Sequence, residues 1–349
     1  MNVYLRPATP AGLRVGIIGL GRMGLRHLQA VRQLGMEPVG LADLSDAALD
    51  TACKQHGLDR SIGYADATAM LKQTRPQAVV IATTAPSHAA LTLAAIDGGA
   101  HYLLCEKPMA ASLQEADDMI DACNGAGARL AINHQMRFMA QYTRVKTIVG
   151  SESLGPLVSI LVAGSNFGLA MNASHYFEMF RYMTGQPVTD VQAWFEEKTL
   201  ANPRGAQFQD RSGRLLARSA AGPAMYIDFS ADAGWGLQVV YICRYGQIVV
   251  DELSGDVRVA ARKPEFRDQP TSRYGLPVDV HLEAVEPADT VVPTMKVWQA
   301  MLDGSGWPDG AAGRHALACL VATHVSHDSG RAVRIDDDAL PRAEQFPWA

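Results

Sequence analysis

Apolar positions in the first third of the chain alternate between two rhythms. Residues 13–18 read as a short buried strand, apolar but for Arg14; Leu25, Leu28, Val31 and Leu34 then recur at helical spacing, Gly35 suits a helix stop, and 38–42 is apolar again. This predicts strand, helix and strand, because a strand buried in a parallel sheet is apolar throughout whereas a covering helix is apolar along one stripe. The alternation continues with helix at 47–55, a short helix around Met70 and Leu71, strand at 78–82, helix at 87–96, strand at 101–105, helix at 113–124 and strand at 129–133. A doubly wound parallel sheet is therefore expected over residues 1–135.

From about Leu157 the rhythm changes to longer β-rich stretches, at 157–164, 188–196, 224–230, 237–243, 247–253 and 257–260. Turn residues Tyr245-Gly246 and Ser254-Gly255-Asp256 join the last of them, which predicts an open, mainly antiparallel sheet. Helices are predicted at 175–183 and 314–329, the latter with Leu317, Leu320, Val321, His324 and Val325 on one face. Residues 136–349 thus read as a second, α+β domain for substrate binding and oligomerisation. Its broad sheet face makes a homodimer or homotetramer the expected assembly.

Composition narrows the class of partner. With 48% hydrophobic and 19% charged residues the 349-residue chain can bury two ordinary cores, and a formal charge of −5 gives no basic footprint for nucleic acid. No apolar run reaches membrane-spanning length and residues 1–10 lack a signal-like apolar core, so a cytoplasmic protein is expected. Cys53, Cys105, Cys123, Cys243 and Cys319 are scattered without metal-ligand spacing and read as buried reduced thiols. A small-molecule substrate is the expected partner.

The connection between the first strand and helix carries the first chemical signal, Gly19-x-Gly21-x-x-Gly24. Its first glycine permits a tight turn, its second lets backbone approach a pyrophosphate, and its third allows close helix packing. The N–H groups of Arg22, Met23 and Gly24 at the helix start would then face the phosphates. Asp43 closes the second strand 19 positions after Gly24, where a carboxylate can accept from the ribose hydroxyls. The segment reads as a Rossmann dinucleotide-binding domain. Because a carboxylate there repels a 2′-phosphate and no cation is adjacent in sequence, NAD is favoured, with NADP open should distant arginines fold into place.

A second signal, Glu106-Lys107-Pro108, follows the strand at 101–105 and so falls on the carboxyl edge of the sheet, where open α/β folds bind ligands. Pro108 stiffens the exit and favours extended backbone at Lys107. The order of these features resembles the glucose–fructose oxidoreductase / inositol dehydrogenase / rhizopine-catabolism MocA family over nearly the whole chain. Beside the glycine turn, the resemblance rests on Ala82-Thr83-Thr84-Ala85-Pro86-Ser87-His88, Cys105-Glu106-Lys107-Pro108, and Asn133-His134-Gln135-Met136-Arg137-Phe138. It extends through Asn172-Ala173-Ser174-His175, Arg181-Tyr182-Met183-Thr184-Gly185 and Ser329-Gly330-Arg331.

The resemblance implies hydride transfer between nicotinamide and a secondary alcohol or ketone of a sugar, cyclitol or nucleotide-sugar-like substrate. Thr83, Thr84, Pro86, His88, Glu106 and Lys107 would line the cofactor. Lys107 would orient the reacting oxygen, with His175 as proton donor or acceptor, a role worth about 10²–10⁴-fold. Arg137 at the junction could clamp substrate or form an ion pair, and Tyr142 and Tyr176 could add polar contacts. The family usually carries an aspartate three or four residues before the histidine, where this chain has Met171 and Asn172. An amide orients imidazole without stabilising imidazolium. Three consequences stand open: Lys107 alone carries the proton, Asn172 contacts substrate, or catalysis is lost.

Other readings complete the picture. His27 and His88 flank the cofactor turn and could touch ligand or simply pack. The polar segment 201–210 could cover substrate or contact another subunit. No metal is expected, since no histidine and carboxylate spacing demands one. Against the dehydrogenase stand two other classes: a cofactor-binding regulatory member without turnover, and an NAD-retaining lyase or glycosidase.

Overall fold

The first apolar runs fold into strands β1 (Arg14–Ile18), β2 (Glu37–Ala42), β3 (Gly63–Tyr64), β4 (Ala78–Ile81), β5 (Tyr102–Cys105) and β6 (Arg129–Ile132). Between them lie helices α1 (Arg22–Gln33), α2 (Asp46–His56), α3 (Ala67–Thr74), α4 (His88–Asp97) and α5 (Leu113–Gly125). All six strands are parallel, in the order β3-β2-β1-β4-β5-β6. β4 and β5 are buried from end to end, as helices on both faces require. The chain reverses direction across the sheet between β1 and β4, which opens a crevice at their carboxyl ends. The computed structural model describes residues 9–164, 168–270, 276–336, 338 and 340–348; residues 1–8 of the N-terminal stretch lie outside them.

The rest of the chain contributes α6 (Ala140–Ile148), β7 (Leu157–Gly164), α7 (Leu169–Thr184), β8 (Asp190–Phe195), β9 (Gly213–Arg218), β10 (Ala224–Phe229) and β11 (Gln238–Cys243). It continues with β12 (Gly246–Asp251), β13 (Asp256–Arg262), β14 (Val278–Ala284), α8 (Val291–Asp303), α9 (Gly310–Ser329) and β15 (Val333–Arg334). The nine strands run in the order β14-β13-β12-β11-β7-β10-β9-β8-β15, antiparallel except for β7 beside β10. Alternation along each strand turns Ile160, Val162, Met225, Ile227, Val239 and Ile248 inward, and α7 buries Tyr176, Phe177 and Phe180. Leu161, Tyr226 and Trp194, one residue out of phase with buried neighbours, are exposed on the opposite face.

The chain clusters into two compact units that depart from the division at 135/136 expected from sequence. One holds the described residues up to Gln135 together with 290–317 and those from Pro341 on; the other holds the described residues of 136–289 and 318–340. The physical reason is coverage of the parallel sheet. Arg129 donates to the Met301 and Leu302 carbonyls at 2.6 and 2.8 Å near the end of α8, and Trp307 Nε1 donates to Leu130 O at 3.0 Å. The C-terminal segment is tied to α5, where Arg314 and Arg342 both pair with Asp117. Phe346 and Trp348 are buried and stacked.

Candidate active site

In the first unit the carboxyl ends of the strands bring the sequence-predicted cofactor residues together. Gly19 has φ +87°, in the left-handed region that favours glycine, and a Cβ there would come within 2.7 Å of the Ala82 carbonyl. At Gly24 a Cβ would overlap the Gly19 carbonyl oxygen, so α1 packs this close to the turn only with glycine there. Gly21 is different, because a Cβ would meet nothing within 4 Å. The open space lies at the start of α1, a helix end with no side-chain cap and no acidic residue in its first turn. Such an end, presenting Arg22, Met23 and Gly24, fits a pyrophosphate.

Asp43 holds this turn from β2. Its Oδ2 accepts the Leu20 N–H at 2.7 Å and its Oδ1 the Ser45 N–H at 2.8 Å, leaving further lone pairs for hydroxyl donors. Beyond β4, Ser87 donates to the Thr83 hydroxyl at 2.7 Å or to the Thr84 carbonyl at 2.9 Å; both threonines are half-buried and Pro86 is exposed. His88, expected to contact cofactor, has backbone partners in the protein. It is fully buried, with Nδ1 3.0 Å from Pro108 O and Nε2 3.2 Å from Thr83 O, so it staples the exits of β4 and β5 to each other. Burial pushes its imidazole below the ordinary range, against the opposing pull of those carbonyls.

Glu106 is likewise buried and engaged by protein. His27 Nε2 and Asn133 Nδ2 both reach Oε1 at 2.8 Å, and the Lys107 N–H reaches Oε2 at 3.3 Å. Burial pushes the carboxyl up, but the bond and charge of His27, then the Lys107 charge and the Asn133 amide, outweigh it and hold it at about 2. Glu106 is thus an ionised carboxylate that grips its neighbours. Lys107 is half-buried, joined to Pro108 by a cis peptide bond.

In the second unit, α7 begins at Leu169, six residues before His175, so that the histidine sits mid-helix and not at the helix start expected from sequence. Residues 210–211 explain the earlier start. The Arg211 carbonyl accepts the Leu169 N–H at 3.0 Å, and the Asp210 carboxylate accepts those of Ala170 and Met171 at 2.7 and 2.8 Å. Three of the orphan donors of a helix start are satisfied from a remote loop. His175 is buried; Asn172 is half-buried, and its Nδ2 meets no hydrogen-bond partner among the described residues.

Two residues expected to contact substrate have protein partners here. Arg137 pairs with buried Glu178 on α7 at 2.9 Å and lies over the Tyr182 ring, 4.8 Å from its centroid, so its charge is already answered. Tyr142 is buried and donates to Glu252, whose other oxygen accepts Tyr176 at 2.7 Å. Burial pushes Glu252 up to about 6 despite both hydroxyls. Sequence reasoning missed Glu178, Glu252 and Asp210, which lie 41, 110 and 40 positions from Arg137, Tyr142 and Ala170 respectively. Asn133 carried a readable signal, since it follows β6 as Glu106 follows β5.

Among the described residues no group of histidine, cysteine and carboxylate side chains could hold a metal. Residues 13–134 match the profile of an oxidoreductase family described as an NAD-binding Rossmann fold. Inositol 2-dehydrogenase 1 of Paenarthrobacter aurescens is 26% identical over 94% of this chain and 98% of its own. D-Apiose dehydrogenase of Paraburkholderia graminis is 28% identical over 91% and 88%. Among solved structures, levoglucosan dehydrogenase in complex with NADH and levoglucosan superposes with a TM-score of 0.77 at 18% identity, covering 93% of this chain and 100% of that one. The fold and the cofactor end define an NAD-binding oxidoreductase. Over residues 13–134 the chain matches the GFO_IDH_MocA family model, the family its motifs resemble.

Proposed function

We propose that this enzyme is an NAD(H)-dependent dehydrogenase acting on a secondary alcohol or ketone of a sugar, cyclitol or nucleotide-sugar-like substrate. The observation that carries the reading is the pairing, on one sheet edge, of an uncapped helix start behind Gly21 with a lysine held by an ionised buried carboxylate. Relatives named for inositol and apiose support the substrate class. The nicotinamide cofactor, when bound, supplies the hydride chemistry. Lys107 orients the substrate oxygen and favours its negative charge, His175 exchanges the hydroxyl proton, and Asn172, lacking charge, hydrogen-bonds substrate. The carboxylate of Asp43 favours NAD over NADP. Buried reduced cysteines fit the cytoplasm.

A second copy of the chain is the proposed partner. On the outer face of the nine-stranded sheet Leu161, Trp194, Tyr226, Val280 and Leu282 are exposed, while Arg214 with Asp228 and Arg218 with Asp190 neutralise each other. An apolar, charge-balanced sheet face suits self-association into a homodimer or homotetramer.

The test is turnover. NADH formation is followed against inositols, pentoses, anhydro sugars and nucleotide sugars, with Lys107→Ala beside the wild type. The variant is expected to bind NADH normally, by fluorescence, while losing hydride transfer by about 10²-fold or more. Unchanged turnover would remove Lys107 from the reaction.

A further inference from the structure

A carboxylate kept ionised inside a protein must have its charge answered on every side, and Glu106 is answered from three separate elements. His27 reaches it from the second turn of α1, Asn133 from just beyond β6, and the Lys107 N–H from the exit of β5 itself. The His27 ring is fully buried and its Nδ1 meets no hydrogen-bond partner among the described residues. Its polar role in this fold is the bond to Glu106. His27 also lies three residues after Gly24, on the helix whose first turn is the seat proposed for the pyrophosphate.

We propose that His27 is a positioning residue for the reaction: with Asn133 it clamps Glu106 and thereby fixes Lys107, and it ties that hold to the helix that receives the cofactor's phosphates. The inference rests on the dehydrogenase reading and deepens it. Without the Nε2–H donor, Glu106 keeps its burial and loses a main partner, and a buried carboxylate deprived of a hydrogen bond moves or takes up a proton. Either response alters the field and the backbone anchor of Lys107. The phosphate seat at the head of α1 contains no atom of His27, so cofactor binding is largely spared. Phosphate docking and lysine placement are linked because one helix carries both contacts.

The experiment compares wild type with His27→Leu, which removes the donor, and His27→Gln, which keeps an N–H donor on a similar reach. Three quantities are read in each: NADH affinity by fluorescence, kcat and KM, and acetylation of Lys107 by acetic anhydride relative to exposed Lys54, by peptide mass spectrometry with and without NADH. For His27→Leu the expectation is near-normal NADH affinity, kcat lower by about 10²-fold, the scale of a misplaced reacting group, and altered Lys107 acetylation that NADH no longer changes. His27→Gln is expected to recover most of both. Wild-type kcat and wild-type labelling in a folded His27→Leu protein would overturn the proposal. So would a loss confined to NADH affinity. Should His27→Leu fail to fold, Asn133→Ala opens the same clamp from its other side and is read by the same criteria. The labelling needs no substrate, so a failed dehydrogenase reading and a failed clamp give different results.

Discussion

Asp43 does two jobs with one carboxylate. It fixes the glycine turn through the Leu20 N–H and, in the proposed reading, sets negative charge beside the cofactor's ribose. Asp43→Asn keeps the shape and removes the charge, so the ratio of kcat/KM for NADP to that for NAD is expected to rise by about tenfold, roughly the 1.4 kcal/mol of one close charge pair in a polar setting. The ratio decides, because both cofactors lose the same turn contact. A wild-type preference for NADP would sink the reading. The places of Asp43 and Lys107 on the carboxyl edge were legible in sequence because each follows an apolar strand. Arg137 and Tyr142 were not, because the partners that consume them, Glu178 and Glu252, come from elements that no local pattern brings near. His88 looked like a ligand contact for a similar reason: the carbonyls that hold it belong to backbone, which sequence does not distinguish.

At the scale of elements, α7 shows a helix start set by a loop. Asp210 takes the Ala170 and Met171 N–H groups, and a side chain at Gly168 would overlap its carboxylate, so the polar segment 201–210 ends as an anchor on the helix that bears Asn172 and His175. Asp210→Ala is expected to cost about 0.5–2 kcal/mol in urea unfolding, the range for removing a helix cap, and to lower kcat by loosening the first turn. A stability within error of wild type would show that the cap is dispensable. Five of the six strands of the parallel sheet were readable, because burial leaves largely apolar runs; the two-residue, half-buried β3 was not. In the second sheet β9 and β14 escaped notice. Val278 to Ala284 alternates apolar and polar residues, but β14 is an edge strand exposed along nearly its whole length, and such strands lack the apolar weight of a core strand. α8 was missed because Val291, Val292 and Pro293 open it with residues of low helix propensity.

For the whole molecule, two buried carboxyls bend stability against pH in opposite directions. Glu252 rises from 4.5 to about 6 on folding, so its contribution is full below about 4.5 and is lost as pH rises through 6. Glu106 falls from 4.5 to about 2, so its contribution is present above about 4.5 and is lost as pH falls toward 2. Glu252→Gln removes only the first effect. Between pH 4.5 and 6 the wild type is expected to lose about 2 kcal/mol more than the variant, a shift of one pKa unit being worth about 1.4 kcal/mol. Parallel curves from urea melts at several pH values would refute this.

The proposed self-association belongs to the same scale and rests on the two faces of the second sheet. The inner face is closed by α7 and its neighbours, whereas the outer face carries Leu161, Tyr226 and Trp194 across β7, β10 and β8, and Val280 and Leu282 on β14. Strand alternation lets the solvent side vary freely from the core side, so the core does not demand these apolar residues. An isologous pairing puts the same strip on both partners and asks for no charge complementarity, which matches a face whose arginines and aspartates already pair with one another. Tyr226→Glu combined with Leu161→Glu is expected to convert the wild-type oligomer to a smaller species by light scattering. The unfolding temperature should fall little, since neither side chain enters the core. A monomeric wild type, or a double variant that keeps the native mass, would leave the strip without a partner of its own kind.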